Sequence, residues 1–143
     1  MSFPDLLNML SERLGIKIAD EGGAAAVEID GQNILLLQAD EDLLLIRADL
    51  GEIPADLREK IIAAAMEANY LYQGTGGATL AVCPSDGHLH LQKYNWVERL
   101  DADKAIDTLS RFADTALAWK KIISDAAEHP LEQTSLGEGF IQA

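Results

Sequence analysis

Two histidines, His88 and His90, have a spacing in this chain that could support metal chemistry. Side chains two positions apart on a strand point to the same face, so both imidazoles could bind one ion. A zinc site needs three or four ligands, however, and no Cys/His or Glu/His cluster in the sequence supplies the others. Leu89 and Leu91 favour a strand whose leucines face the core and whose histidines face water. We therefore predict no metal site and no cofactor.

Other candidate centres lack the context that catalysis requires. The loop Gly74-Thr75-Gly76-Gly77 resembles a phosphate loop, but it follows a predicted helix and precedes a strand, the reverse of the order a phosphate cradle needs. The acidic groups Asp40-Glu41-Asp42 and Asp101 with Asp103 fall at a turn and a helix start. Cys83 lies in an apolar strand, where it is expected to be a small buried hydrophobe. We predict no catalytic residue and no enzymatic activity.

The charge balance restricts the classes of partner. The chain has 143 residues, with 11 Lys and Arg against 24 Asp and Glu, giving a net charge of −13. This charge repels phosphate backbones and anionic lipids, so we expect neither nucleic acid nor membrane insertion. No run approaches the roughly 20 apolar residues of a membrane helix, and no signal peptide is recognisable. The single cysteine agrees with a reducing compartment, so we expect a cytoplasmic protein.

Periodicity divides the chain into helices and strands. A capped start at Ser2 and a three- and four-residue apolar spacing predict a helix over 3–14. Alternation from Ala25, an Asp30-Gly31 turn and an acidic corner then predict three strands that form a meander. Further helices are predicted over about 55–71 and 102–127, with two strands between them at 78–83 and 88–94.

The predicted fold is α+β, with a mostly antiparallel sheet of about five strands and three helices in the order α-β-β-β-α-β-β-α. Residues 1–128 form a single domain in this prediction. Residues 129–143 lose periodicity and are predicted to be a flexible C-terminal tail.

Two strand segments, 34–37 and 43–46, carry apolar residues at four successive positions. Successive strand residues point to opposite faces, so both faces of the sheet are apolar there, whereas a meander usually keeps one face wet. The exposed half of the first helix, with Leu7 and Met9, is expected to add apolar surface. Such contiguous surface predicts a binding site for another protein. The alternative is that the three helices cover both sheet faces.

Four strings of the sequence are distinctive, and they are Ala65–Leu71, Gly74–Val82, Leu89-His90-Leu91 and Leu109–Trp119. These strings resemble the class I type III secretion chaperones of the Tir-chaperone family, and the resemblance spans about 3–123. Members of that family are small, acidic, cytoplasmic homodimers without enzymatic activity. The resemblance implies that residues 1–128 are a chaperone-like domain, which would hold the N-terminal region of a secreted effector in extended form and keep it soluble and secretion-competent. The alternative is a stand-alone dimeric interaction or regulatory module of the same fold without a secreted client.

The resemblance also implies two surfaces. The second helix and the strand after the glycine loop would form the dimer interface, for which the expected residues are Leu57, Ile61, Ala64, Ala65, Ala68, Leu71, Leu80 and Val82. The first helix and the sheet would contact the effector, and the pool of expected contacts is Leu6, Leu10, Leu14, Val27, Ile29, Ile34, Leu36, Leu43 and Leu45. The sequence leaves open which alternate residues of each strand face the core, because a shift of one residue exchanges the faces.

Overall fold

The first helix, α1 (Phe3–Leu14), begins at the cap that its sequence predicts. In the computed structural model, which describes residues 1–128, the Ser2 hydroxyl accepts a hydrogen bond from the Asp5 N–H, and the Asp5 carboxylate accepts one from the Ser2 N–H. This reciprocal pair satisfies amide groups that a helix start otherwise leaves without partners. Gly15 ends the helix in the left-handed conformation. The tail predicted at 129–143 lies outside the described residues.

The remaining elements confirm the predicted fold and order. The strands form one antiparallel sheet in the order β1-β2-β3-β5-β4. The elements after α1 are β1 (Ala24–Ile29), β2 (Gln32–Asp40), β3 (Leu43–Asp49), α2 (Arg58–Asn69), β4 (Thr79–Val82), β5 (Leu89–Trp96) and α3 (Ala102–Glu128). Short 3-10 turns precede α2 and α3, and a third follows α2 at Tyr70–Tyr72. None of the helices within 1–128 has the length and apolarity needed to cross a bilayer.

Strand pairing assigns every second residue of the meander to the core. Leu36 pairs with Ile46 and with Ala25, so these three side chains share one face of the sheet. All three are nearly inaccessible to solvent, as are Ile34 and Leu44 on the same face. We call this side the core face and the opposite side the outer face.

The three helices contribute to a single core cluster with the core face. Trp119 on α3 is fully buried and donates a hydrogen bond of 2.9 Å from its indole Nε1 to the Gly74 carbonyl. Gly74 in turn lies against Ala68 on α2, where a Cβ on the glycine would come within 2.5 Å of the alanine Cβ. The end of α2 therefore packs closely against the loop that leads into β4.

The edge of the sheet at β4 is fixed to α2 by one side chain. The Asn69 amide donates to the Leu80 carbonyl at 3.0 Å, and its oxygen accepts from the Leu80 N–H at 2.9 Å. Both backbone groups of Leu80 that point away from β5 are thus bonded to a side chain rather than to another strand.

The structure differs from the sequence-based prediction in two places within these elements. Leu7 was expected on the exposed half of α1 but is only 3% exposed, because Phe3, Leu6, Leu7 and Leu10 all contact the core. The second helix was expected to continue to 71 but ends at Asn69, because Tyr70 is extended with a ψ of 114° and Leu71 has a positive φ of 53°.

A matched pair of substitutions tests the assignment of faces. Leu36→Glu places an unpaired carboxylate in the core and should lower the free energy of unfolding by more than about 3 kcal/mol. Leu37→Glu, one position along on the half-buried outer face, should change it by no more than about 1 kcal/mol. Urea unfolding followed by circular dichroism measures both. Equal effects at the two positions would contradict the assignment.

Candidate functional site

The outer face of the sheet carries a continuous apolar patch across three strands. Leu37 pairs with Leu45, and Leu45 pairs with Tyr94. Leu43 pairs with Trp96 in the next row. Directly opposed residues of antiparallel strands lie on the same face with their Cβ atoms about 5 Å apart, so these side chains form adjoining rows. We call this surface the outer sheet patch, and it consists of Leu35, Leu37, Leu43, Leu45, Tyr94 and Trp96.

Solvent reaches the outer sheet patch. Tyr94 is 57% exposed and Trp96 is 47% exposed, while the four leucines are half-buried. Arg47 pairs with Leu35 and with Gln92 on the same face, so a cation borders the apolar rows. Large aromatic residues in the open are typical of protein-binding surfaces, where they supply contact area at a low entropy cost.

The expected effector contacts divide between the two faces. The residues placed in the core are Leu6, Leu10, Val27, Ile29, Ile34 and Leu36. Leu14 is half-buried against that core, and only Leu43 and Leu45 belong to the outer sheet patch. The register therefore decides the question that the sequence left open, and Leu35, Leu37, Tyr94 and Trp96 are the outward residues that the expected pool lacked.

A second apolar surface lies at the end of α2. Met66 is 65% exposed, Tyr70 and Leu71 are each 69% exposed, and Tyr72 is 55% exposed. We call these four residues the α2 end patch. Leu71 and Tyr72 have φ of 53° and 57°, a left-handed conformation that is rare for large side chains and costs on the order of 1 kcal/mol each. Backbone strain of this kind clusters at binding sites.

Most of the residues expected at a dimer interface point away from this surface. The residues buried in the core of the chain itself are Leu57, Ile61, Ala64, Ala65, Ala68 and Leu80. Val82 is half-buried, and Leu71 alone is exposed. The alanine stripe thus lets α2 approach its own β4 and Gly74, whereas the opposite side of the helix carries Met66.

A polar cluster lies at the other end of β3 and β5. The His88 Nδ1 is 3.0 Å from Oδ1 of Asp49, and the His90 Nε2 is 3.2 Å from Oδ2 of Asp86. His90 was expected to face water but is only 5% exposed. Cys83, expected to be buried, is half-buried just after β4, with its Sγ 3.1 Å from the Ser85 hydroxyl. We call Asp49, Asp86, His88 and His90 the His/Asp cluster.

Register explains why the sequence did not reveal this cluster. Asp49 is distant from the histidines along the chain but pairs directly with His90 across β3 and β5. Asp86 reaches both imidazoles from the turn between β4 and β5. A search for local Cys/His or Glu/His spacing therefore could not find the two carboxylates.

The contacts within the cluster raise the pKa of His88 and lower the pKa values of Asp49 and Asp86. The hydrogen bond with Asp49 raises the pKa of His88 above its usual 6.5. Burial opposes ionisation of Asp49, but hydrogen bonds from the Gly51 N–H and from His88 outweigh it and lower the pKa of that carboxyl. The hydrogen bond from the backbone N–H of His88 lowers the pKa of Asp86.

Solved structures similar to this fold include a chaperone–effector complex and complexes from type III secretion systems. The chain is 20% identical to a chain of the HopA1–SchA chaperone–effector complex, with a TM-score of 0.63 over 87% of this chain and 94% of that one. It is 20% identical to a chain of the Yersinia pestis type III secretion chaperone SycH in complex with a fragment of YscM2 (TM-score 0.61, coverage 80% and 97%). A chain of the Pseudomonas aeruginosa ExoU–SpcU complex is 17% identical (TM-score 0.64, coverage 84% and 95%). The chain therefore has the α+β fold found in type III secretion chaperone complexes.

The family follows from the sequence itself. The profile of the Tir chaperone protein (CesT) family matches residues 5–120, which is most of the chain. The protein belongs to this family of type III secretion chaperones, as the resemblance in its strings indicated. No protein of curated function matches the chain significantly.

The His/Asp cluster predicts a pH dependence of stability. Protonated His88 beside ionised Asp49 stabilises the fold below the unfolded pKa of histidine, and this contribution is lost as the pH rises through the higher folded pKa. The wild type should therefore lose more stability than His88→Gln between about pH 6 and pH 8. Thermal unfolding across this range measures the difference. Parallel curves for the two proteins would contradict the assigned ion pair.

Proposed function

We propose that the protein is a cytoplasmic secretion chaperone that binds the N-terminal region of a type III effector in extended form. In this state the client would stay soluble and competent for export. The observation that carries the proposal is the outer sheet patch, an apolar surface with two exposed aromatic residues in a member of a secretion chaperone family.

The shape of the outer sheet patch suits an extended client. Its rows follow the pleat of three neighbouring strands, so a chain lying across them can place successive apolar side chains between them. Beside it, β1 has β2 as its neighbour on one side only among the described strands. The exposed side of β1 could accept an added strand through backbone hydrogen bonds.

The charge of the chain supports the same interaction. A net charge of −13 keeps a protein with exposed leucine and aromatic residues soluble. It also attracts basic segments of a client and speeds their association. Arg47 at the border of the patch offers a local partner for a client carboxylate.

We further propose a homodimer formed through the α2 end patch. Three of the four exposed side chains are consecutive in the chain, from Tyr70 to Tyr72, and Met66 lies one helical turn before Tyr70. A two-fold axis near this patch would bring it against its own copy, so each side would bury the apolar surface of the other. The strained backbone at Leu71 and Tyr72 would then hold these side chains in place for the partner.

Client binding is tested by purifying the protein from its native cell and identifying what is bound. We expect a secreted effector with the wild type, and at least about a tenfold weaker interaction with Leu45→Glu or Tyr94→Ala. Leu117→Glu is the matched control, because Leu117 is also an exposed leucine (44%) but lies on α3, away from the outer face. An effector retained equally by all variants would contradict the site. A regulatory partner in place of an effector would favour the stand-alone module.

Dimer formation is tested by light scattering after size exclusion. We expect twice the chain mass for the wild type at micromolar concentration, and a monomer for Met66→Glu combined with Tyr70→Glu, because the substitutions place charges in a desolvated contact. Leu117→Glu again serves as the control and should remain dimeric. A wild-type monomer, or a dimer unchanged by the double substitution, would contradict the proposed interface.

A further inference from the structure

We propose that the His/Asp cluster is a binding site for a divalent transition-metal ion, with Zn²⁺ as the preferred ion. The site is separate from the outer sheet patch and does not depend on the proposed client. It would join three parts of the chain, because Asp49 ends β3, Asp86 lies in the turn after β4, and the two histidines begin β5 or immediately precede it.

The geometry of the four ligand atoms fits a small ion. One atom from each side chain lies within 4.8 Å of the others. The His88 Nδ1 is 3.0 Å from Asp49 and 3.8 Å from Asp86, and the His90 Nε2 is 3.2 Å from Asp86 and 3.9 Å from Asp49. Zinc bonds of about 2.0 Å to nitrogen and oxygen in a tetrahedron require ligand atoms about 3.3 Å apart. The four imidazole–carboxylate distances bracket this value, and the other two pairs of ligand atoms lie within 4.8 Å, so the side chains would move closer together around a bound ion.

The donor set selects the class of ion. Two imidazole nitrogens disfavour Mg²⁺ and Ca²⁺, which take oxygen ligands. Two carboxylates in place of thiolates disfavour soft ions such as Cu(I). Together the carboxylates also balance the charge of a divalent ion, so the complete site would be electrically neutral.

Hydrogen bonds from the backbone already orient both carboxylates. The Gly51 N–H donates to Oδ1 of Asp49 at 2.8 Å, and the His88 N–H donates to Oδ1 of Asp86 at 2.8 Å. Asp86 therefore keeps its other oxygen for the imidazoles, at 3.2 Å from His90. His90 is held by burial in the sheet. These backbone hydrogen bonds fix the direction of the two carboxylates before an ion binds.

Protons compete with the ion for the same atoms. Metal binding requires neutral imidazoles, so the ion would replace the proton that His88 shares with Asp49 and release it to solvent. Affinity should accordingly fall as the pH is lowered through the histidine range. The ion would replace the contacts between the imidazoles and the carboxylates with four coordinate bonds, and would connect the β4–β5 turn to the end of β3.

The test is titration of the untagged full-length protein with Zn²⁺ by calorimetry, and with Co²⁺ by visible absorption. We expect one ion per chain, a Co²⁺ spectrum typical of four-coordination, and proton release on binding. Asp49→Asn removes the charge of one ligand and His88→Ala removes another ligand, so each should weaken binding by at least about tenfold. Both side chains are accessible to solvent, so losing their ion pair should leave the protein folded. Because His90 is buried, its substitution is not used.

Two controls separate this site from other zinc-binding groups. Asp42→Asn removes the same charge at the turn between β2 and β3, at the opposite end of β3, and should bind as the wild type does. Cys83→Ser removes the only thiol and should also bind normally. Loss of binding in Cys83→Ser, equal binding in Asp49→Asn and the wild type, or no binding by the wild type at micromolar Zn²⁺ would each overturn the proposal.

Discussion

The register that joins β2, β3 and β5 is the constraint on which the rest of the molecule depends. Strands β2 and β3 are apolar at successive positions, so hydrophobicity alone does not decide which of their residues face the core. Because Leu36 pairs with Ile46, these two residues face the helices. Leu37, Leu45 and Tyr94 then lie on the opposite face of the sheet. The same register brings Asp49 opposite His90. One choice of alignment therefore creates the core, the outer sheet patch and the His/Asp cluster together.

The sequence predicted the elements because their signals are local. The cap at Ser2, the Asp30-Gly31 turn and the helical spacing of α3 each act over a few residues, and all appear in the structure. The orientation of surfaces was not predictable in this way, since it depends on contacts between distant segments. The sequence placed the alanines of α2 at a dimer interface, and the structure buries Ala64, Ala65 and Ala68 in the core of the chain itself. The carboxylates beside the histidines were missed for the same reason.

The two apolar surfaces differ in how they are held in place. The outer sheet patch rests on regular strands whose opposite side is a packed core, so its leucine and aromatic rows are rigidly spaced. Three of the four residues of the α2 end patch lie beyond the end of the helix, and two of these three have a strained backbone. A regular array suits clients of varied sequence, because it fixes spacing rather than shape. The strained backbone of the α2 end patch suits a single partner of fixed shape, such as a second copy of the chain.

The side-chain amide of Asn69 bonds to the backbone at the β4 edge of the sheet, where a further strand would otherwise pair. By bonding both free backbone groups of Leu80, it occupies the place that the next strand would take at the β4 edge. Edge strands are common starting points for aggregation, and a side chain that imitates a strand removes this hazard without lengthening the sheet. At β4, a strand arriving from another protein would meet a position that Asn69 already occupies. At β1, the other edge of the sheet, it would lie beside the surface rich in leucine and aromatic residues.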